Sequence, residues 1–455
     1  MGSDATPERT YLGVDVGGTK ILAALADEAG VILERCRVST PRDCPREETL
    51  AAITDAIAEV LDDAKDAAGG LQGIGIAIPG VVEPSTGRVV VTPNMNLGGL
   101  RISRHLSDRF EVPVSLGNDC DFGALGENWL GAARGTRSAV GIFVGTGIGG
   151  GYVRKGKVLR GARDAAMEVG HMIVQIGGPE CGCGNLGCLE ALASRTAIER
   201  DLRRAVEGGR ESALGEILDG DFSRIRSRVL KKALKQGDEL TREVLTRAAE
   251  VLGYGCLSVR HLLDPDVIVL GGGVFEACGE FMLPIVQDVL ARDKLSGARD
   301  SLGVRLAALE DDAVVLGAVA AARTKAGRSP FMDKYAILPD YPRLTLLPAG
   351  GFRVADETKD RDITLRADGK VKKAKIDEEP VPRPVDAKQV AKACTGAPAV
   401  LFLGTGAEGQ AELTDEARRY LELRGIEYRE LPTREAVEAY MTCDRRKAAV
   451  MCLPS

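Results

Sequence analysis

The sequence predicts a two-lobed α/β protein followed by a smaller α/β domain. Two segments, beginning at Leu12 and Val140, share one pattern: an apolar strand, a tight glycine turn, a second strand, a polar turn and a third strand. Amphipathic runs over Glu48–Ala68 and Glu239–Leu263 predict helices that cover the buried strands. The composition changes at Ala326, where prolines become frequent. These observations indicate a duplicated α/β unit with a cleft between its copies, joined to a second domain.

Four units are expected: an N-terminal lobe, a C-terminal lobe, a linker and a small α/β domain. A helix from further along the chain closes the N-terminal lobe. Prolines between Ala326 and Gly351 are expected to break any regular element there, which marks the linker. The last segment alternates short strands and helices and is long enough for its own core. The expected boundaries are, in that order, 10–136 with the closing helix at 311–325, 137–310, 326–342 and 343–455.

The composition is that of a globular protein with substantial cores. Of 455 residues, 44% are hydrophobic and 28% are charged, and the formal net charge is −6. An acidic chain argues against a general binder of nucleic acid or of membrane surfaces, because such proteins carry a basic face. The sequence contains no signal-peptide pattern and no apolar run of membrane-spanning length. We therefore expect a cytoplasmic protein with neither a nucleic-acid nor a membrane partner.

One imidazole and three thiols lie close together in a glycine-rich stretch of the second lobe. His171, Cys181, Cys183 and Cys188 are the ligand set of a closed tetrahedral zinc site. Free thiols and disulfides are the alternatives, but disulfides fit poorly with a chain that shows no sign of secretion. We predict a structural zinc ion bound by these four residues.

Three glycine turns, each after an apolar strand, could bring backbone N–H groups close to phosphate. Any one of them is equally well explained as an ordinary tight turn. Together, from both halves of a duplicated protein, they predict a nucleotide between the lobes. A Walker-type loop is absent from the sequence, and a dinucleotide is not the expected ligand. The predicted nucleotide-binding residues are Asp15, Gly17, Gly18, Thr19, Lys20, Gly145, Thr146, Gly147, Gly271, Gly272 and Gly273.

Five motifs combine these features into a family resemblance. The chain contains DVGGTK, GNDCDFGALGE, VGTGIGGGYVRKGKVLRG, MEVGH and CGCGNLGCLE. Over residues 10–326 it resembles the ROK family of sugar kinases and repressors, particularly the bacterial glucokinases. The resemblance implies the actin-like, hexokinase-like two-lobed ATPase fold. It also implies ATP and Mg²⁺ as cofactors, a small-molecule sugar as partner, and a homo-oligomer, with a dimer as the expected state.

The resemblance also assigns roles to individual residues. Asp119 is expected to be the general base that takes the proton of the sugar hydroxyl, which agrees with the chemistry of phosphoryl transfer. Without the resemblance, an Asn-Asp pair after a strand would be interpreted as a helix cap. The family usually has NDANAA where this chain has NDCDFG, and a glycine where this chain has Met167. The implied sugar ligands are Asn94, Asn118, Asp119, Glu168, His171 and Glu190.

The function expected from the sequence is ATP-dependent phosphorylation of a hexose, with glucose as the first choice. Fructose, mannose, N-acetylglucosamine and N-acetylmannosamine are alternative substrates. A non-catalytic sugar sensor or scaffold is the competing class, and retention of Asp119 argues for catalysis. Repressors of the family carry a helix-turn-helix ahead of the kinase unit, whereas only a short polar segment precedes the first predicted strand here. We therefore expect no DNA binding.

The C-terminal segment resembles a different family. Residues 343–455 are similar to a small α/β domain of unknown function found in archaeal proteins and in a mitochondrial complex I assembly factor. The resemblance rests on a strand leading into GTG, then RGIEY, PTREAVEAYM and a closing apolar strand. The GTG loop is interpreted as a tight strand-to-helix turn, because no lysine or metal-binding acid follows at a useful spacing. Regulation, assembly and protein contact remain open as roles for this domain.

Overall fold

The computed structural model describes residues 9–93, 95–295, 303–348, 350–374, 376, 381–407 and 409–453, without the side chains of residues 66 and 68. Asn94, one of the expected sugar ligands, lies outside these ranges. Within them, every helix is too short or too polar to cross a membrane.

The first lobe is built on a five-stranded sheet in the order β3-β2-β1-β4-β7. Strands β1, β2 and β3 pair antiparallel, whereas β1, β4 and β7 are parallel. Buried aliphatic side chains from this sheet, α1 and α2 form one core. The strands are β1 (Thr10–Val16), β2 (Lys20–Asp27), β3 (Ile32–Ser39), β4 (Leu71–Ile78), the hairpin β5 (Val81–Glu83) and β6 (Arg88–Val91), and β7 (Val114–Asn118); the helices are α1 (Arg46–Ala64), α2 (Ile102–Phe110) and α3 (Asp119–Trp129).

The second lobe repeats this topology, as the two similar sequence segments predicted. Its sheet order is β10-β9-β8-β11-β12, again with an antiparallel half and a parallel half. The predicted helix over Glu239–Leu263 is present with those bounds. The strands are β8 (Ser138–Val144), β9 (Ile148–Arg154), β10 (Lys157–Val158), β11 (Val267–Gly271) and β12 (Val304–Leu306); the helices are α4 (Leu189–Ala193), α5 (Arg195–Glu207), α6 (Leu214–Ile217), α7 (Ser227–Lys235), α8 (Glu239–Leu263) and α9 (Gly273–Ala291).

Helix α10 (Ala313–Lys325) returns from the second lobe to the first and lies on β1, β4 and α3. The approach is close enough that only glycine fits at the contacts. A Cβ atom on Gly13 or Gly75 would overlap a carbonyl oxygen of α10. At the α3 contact, Gly126 and Gly317 leave no room for side chains against the facing backbone. The expected closing helix is thus present, and backbone-to-backbone packing holds it in place.

The C-terminal unit has its own five-stranded sheet, in the order β17-β16-β22-β19-β21, and its own buried clusters. A three-stranded antiparallel sheet, β13-β14-β15, and a parallel pair, β18-β20, complete it. The strands are β13 (Leu344–Leu346), β14 (Phe352–Val354), β15 (Glu357–Lys359), β16 (Ile363–Leu365), β17 (Val371–Lys373), β18 (Arg383–Val385), β19 (Val400–Thr405), β20 (Ala411–Leu413), β21 (Glu427–Leu431) and β22 (Lys447–Cys452); the helices are α11 (Ala387–Ala393), α12 (Asp415–Leu423) and α13 (Thr433–Thr442).

The expectation that prolines break every element up to Gly351 was wrong at one point. Strand β13 lies between Pro342 and Pro348. It is only three residues long and pairs on one side, with β14, so the flanking prolines remove no hydrogen bond from its ladder. The preceding segment packs on the first two lobes: the Phe331 side chain contacts Gly156 closely enough to exclude a Cβ there.

We predict that Gly75→Ala destabilises the protein, because the added methyl group meets the backbone of α10 rather than a movable side chain. The free energy of unfolding should fall by roughly 1–3 kcal/mol, the usual cost of overpacking a core. Chemical denaturation measures this, with Gly69→Ala as the control, since a Cβ there contacts nothing. Equal stability of the two variants would contradict the close-packing explanation.

Candidate active site

Asp119 stands at the junction of β7 and α3, where the first lobe meets the cleft. Asn118 is the N-cap of α3: its Oδ1 accepts hydrogen bonds from the backbone N–H groups of Cys120 at 2.8 Å and Asp121 at 3.3 Å. Its Nδ2 donates to the carbonyl of Gly80 at 3.0 Å. The cap interpretation of the Asn-Asp pair is therefore correct for Asn118. It also fixes the direction in which the next side chain, that of Asp119, projects.

A cavity of about 570 Å³ opens beside Asp119, between the lobes. It combines side chains from the first lobe with backbone and side chains from the second. The predicted site residues that line it are Asn118, Asp119, Gly145, Thr146, Gly147, Glu168, His171, Glu190 and Gly272. Two acids that the sequence reasoning missed, Asp121 and Asp164, line it too. The unusual NDCDFG motif was the available signal for Asp121.

The turn between β1 and β2 contains the first predicted phosphate loop. The N–H of Gly17 closes this turn on the carbonyl of Lys20 at 2.9 Å. The Lys20 ammonium forms an ion pair with Asp311 at 3.1 Å, so phosphate would have to compete for it. Residues 15–20 do not line the cavity, although Asp15 is close enough to Asp119 for the two carboxylates to affect each other's charge. They belong to the neighbouring part of the cleft.

The turn between β8 and β9 is the second predicted phosphate loop. It is hydrogen-bonded to Glu190, which follows the predicted metal ligands in the chain. The Glu190 carboxylate accepts a hydrogen bond from the N–H of Ile148 at 2.8 Å. A Cβ at Gly147 would overlap that carboxylate, so a larger residue there would displace Glu190 from this hydrogen bond. The Arg195 guanidinium donates to Thr146 Oγ1 at 2.6 Å. Arg195 is thus a cation beside the loop that the sequence reasoning did not identify.

The third glycine loop, at residues 271–273, follows β11 and caps the start of α9. Gly272 has φ +82° and packs so closely on the backbone of Val144 that a Cβ would not fit. Only Gly272 of these three residues lines the cavity. Gly271 ends β11 and Gly273 begins α9, on either side of Gly272.

The four predicted metal ligands come together. Their ligand atoms all lie within 4.8 Å of one another. The Sγ atoms of Cys183 and Cys188 are 3.8 Å apart, and Nδ1 of His171 is 3.6 Å from Sγ of Cys181. A tetrahedral zinc ion with sulfur bonds of about 2.3 Å separates its sulfurs by about 3.8 Å. The geometry therefore fits zinc, and His171 connects this cluster to the cavity that it also lines.

Burial of carboxylates dominates the electrostatics of the cleft. Burial raises the pKa of Asp15 to about 7; the nearby Asp119 adds to the rise and Lys20 opposes it. Burial likewise raises the pKa of Asp119, against the stabilising hydrogen bond from Cys120. The pKa of Asp121 is raised to about 7, again mainly by burial, with Arg160 opposing. Carboxylates held this way can accept and release protons near neutral pH.

Comparison with known proteins identifies the family. The profile of the ROK family matches residues 11–325. A glucokinase of Halalkalibacterium halodurans is 34% identical over 312 residues, which cover 68% of this chain and 94% of that protein. The chain belongs to the ROK family.

A xylose repressor of Caldicellulosiruptor bescii is 29% identical over 68% of this chain and 77% of its own length. A solved structure, a ROK family glucokinase from Streptomyces griseus in complex with glucose and AMPPNP, aligns with a TM-score of 0.60 at 31% identity, covering 69% of this chain and 99% of that one.

One departure of this ROK protein from the family pattern has a structural consequence. Met167 adopts φ +67°, the left-handed region that favours the glycine usual at this position. Its side chain is half-buried against the core of the second lobe and lines the cavity. The packing of the side chain offsets part of the backbone cost. Met167 therefore narrows the cavity beside Glu168.

We predict that Asp15→Asn stabilises the protein, and more so at high pH. The pKa of Asp15 is higher in the folded protein than in the unfolded chain, so ionisation of this carboxyl destabilises the fold. This loss of stability grows as the pH rises from about 4, the pKa in the unfolded chain, to about 7, the pKa in the folded protein. The gain in free energy of unfolding should be at least about 1 kcal/mol larger at pH 8 than at pH 5. Denaturation at both pH values measures it, with the exposed Asp55→Asn as control. A gain independent of pH would contradict the buried-charge assignment.

Proposed function

We propose that this ROK protein phosphorylates a hexose with ATP, and that glucose is its preferred substrate, giving glucose 6-phosphate. The observation that carries the proposal is Asp119: a half-buried carboxylate at a helix start, facing a cleft cavity large enough for one sugar. Its relatives named as glucokinases support the same activity. Another hexose or an N-acetylhexosamine is the alternative substrate for the same chemistry.

In this proposal the second lobe holds the sugar and the first lobe supplies the base. Glu168, His171 and Glu190 come from one stretch of chain and line one side of the cavity. Asp119 lies on the other side and accepts the proton of the attacking hydroxyl. Its raised pKa suits this role, because a base with a pKa closer to neutrality takes up the proton more readily. Asn118 contributes mainly by capping α3, since its amide is committed to backbone groups.

The nucleotide would lie along the glycine turns of the two lobes. The turn at residues 145–147 is pinned by Arg195, and the turn at residues 17–19 by the hairpin bond of Gly17. Backbone N–H groups of these turns suit the charge of a triphosphate. The neighbouring cations are Lys20 and Arg195, which pair with Asp311 and Glu199 and would exchange these partners for phosphate. Asp15 is the residue placed to hold Mg²⁺, which neutralises phosphate charge during transfer.

Zinc in this proposal is structural. The four ligands, His171, Cys181, Cys183 and Cys188, fill a tetrahedron and leave no position for water or substrate. When bound, the ion would order the loop that carries Glu168 and Glu190. His171 would contribute Nδ1 to the cluster and keep its other nitrogen for the sugar.

The competing function is a non-catalytic sugar sensor. Its support is the similarity to a xylose repressor. Asp119 and Asp15, whose charges are costly to hold in the cleft, favour catalysis, because a pure binder has no need of a base.

We predict sugar-dependent release of ADP. A coupled assay with ATP and Mg²⁺ should compare glucose, mannose, fructose, N-acetylglucosamine, N-acetylmannosamine and N-acetylgalactosamine. Glucose should give the highest kcat/KM. A higher kcat/KM for another sugar would show that glucose is not the preferred substrate, while the proposed kinase reaction would stand. If no sugar raises ADP release while calorimetry shows that a sugar binds, the sensor is the correct function.

We also predict that Cys183→Ser weakens metal binding and raises the KM for the sugar far more than the KM for ATP. The reason is that the affected loop carries sugar ligands, whereas the residue 17–19 turn lies elsewhere. Metal analysis and steady-state kinetics measure the two effects. Cys443→Ser in the C-terminal unit is the control and should change neither. A wild-type protein without zinc, or equal changes in both KM values, would refute the structural role.

A further inference from the structure

A second cavity, of about 870 Å³, lies between the kinase lobes, the segment before β13 and the C-terminal unit. Its size is within the range of small-molecule sites. Most of its lining comes from three parts of the chain: the end of α3 and the turn after it, the segment around Phe331, and the turn before β22. The β9–β10 turn, Ala399 and Gly425 complete it. It is distinct from the catalytic cleft, with which it shares no lining residue.

The charged lining of this interdomain cavity is predominantly basic. The cationic side chains outnumber the acidic ones, and they come from both the kinase lobes and the C-terminal unit. The cations are Arg134, Arg137, Lys155, Arg445 and Arg446, and the acids are Asp333 and Asp444. Two of the cations already have a carboxylate partner outside the lining: Arg445 pairs with Glu427 at 2.6 Å, and Arg137 lies 4.0 Å from Asp266. The excess of positive charge therefore rests on Arg134, Arg446 and Lys155.

Two of these arginines, Arg134 and Arg446, form hydrogen bonds between the kinase lobes and the C-terminal unit, one from each side. Arg134 donates from Nη1 to the carbonyl of Ala397 at 2.7 Å, in the C-terminal unit. Arg446 donates from Nη1 to the carbonyl of Ala29 at 2.8 Å, in the first lobe. Carbonyl oxygens satisfy N–H groups but do not neutralise the charge. In the described part of the chain, no carboxylate oxygen lies within 4 Å of a nitrogen of either guanidinium.

The arrangement is electrostatically costly without an anion. Arg446 is only 4% exposed, and buried charges are normally paired. Burial lowers the pKa of Arg134, and the neighbouring Arg446 and Arg445 lower it further. Burial likewise lowers the pKa of Arg446, and Tyr341, Asp27 and Asp368 oppose this lowering. A bound anion would remove this repulsion.

We propose that the interdomain cavity binds a phosphate group, either as inorganic phosphate or as the monoester of a small organic molecule. Guanidinium groups match phosphate oxygens in pairs of parallel hydrogen bonds. The lining also contains apolar residues that suit an organic part of the ligand; they include Trp129, Phe331, Met332, Ile337 and Leu338. Such a ligand would contact the kinase lobes and the C-terminal unit at once. The proposal does not depend on the kinase activity.

The test uses the full-length protein and its single tryptophan, Trp129, which lines the cavity. Tryptophan fluorescence and calorimetry should follow titrations with inorganic phosphate and with glucose 6-phosphate, at constant ionic strength and without ATP. Saturable binding is expected. Similar affinities would show that the phosphate group alone is recognised. An affinity for glucose 6-phosphate at least tenfold higher would show that the apolar residues contact the organic part.

Charge-removing variants locate the binding. Arg445→Gln and Lys155→Gln remove exposed cations of the cavity and leave Arg134 and Arg446 intact. Each should weaken binding by on the order of tenfold, the value of one charged hydrogen bond. Arg434→Gln, an exposed arginine outside the cavity, is the matched control and should bind like the wild type. Absence of saturable binding, or equal affinity in all three variants, would overturn the proposal and leave the arginines a purely structural role.

Discussion

The close packing of helix α10 on glycine backbone determines where Asp119, the proposed general base, stands. Helix α10 can lie against β1, β4 and α3 only because glycines occupy the contacts, among them Gly13, Gly75 and Gly317. Interiors packed at this density move little, so α3 is held in one position. Asp119 is the first residue of α3, and the Asn118 cap fixes its direction. The geometry of the cleft therefore depends on residues that never contact the substrate.

The two lobes contribute different chemistry to the cleft. The first lobe supplies buried carboxylates, whose pKa values burial raises towards neutrality. The second lobe supplies polar groups on a loop that four converging metal ligands can order. His171 belongs to both the cluster and the cavity wall, so under the proposed function sugar binding would depend on the integrity of the cluster. The C-terminal unit contacts the two lobes away from the cleft, through hydrogen bonds of Arg134 and Arg446 beside the interdomain cavity.

Much of the architecture could be predicted from sequence, because buried strands, glycine turns and amphipathic helices have local signatures. The repeat at Leu12 and Val140 became two sheets of the same topology. Strand β13 could not be foreseen, since three residues between prolines carry no periodicity. The acids Asp121 and Asp164 and the cation Arg195 were missed for a different reason. Their importance comes from tertiary neighbours, which no local pattern reveals.

The most direct test of the central claim is a rapid-quench measurement of phosphoryl transfer in Asp119→Asn, with saturating glucose, ATP and Mg²⁺. The amide has almost the shape of the carboxylate but cannot accept the proton. If Asp119 is the base, phosphoryl transfer in the variant should be slower than in the wild type by roughly 10²- to 10⁴-fold. Glucose affinity, measured by calorimetry, should stay within a few-fold. A transfer rate close to that of the wild type would contradict the assignment of Asp119 as the base.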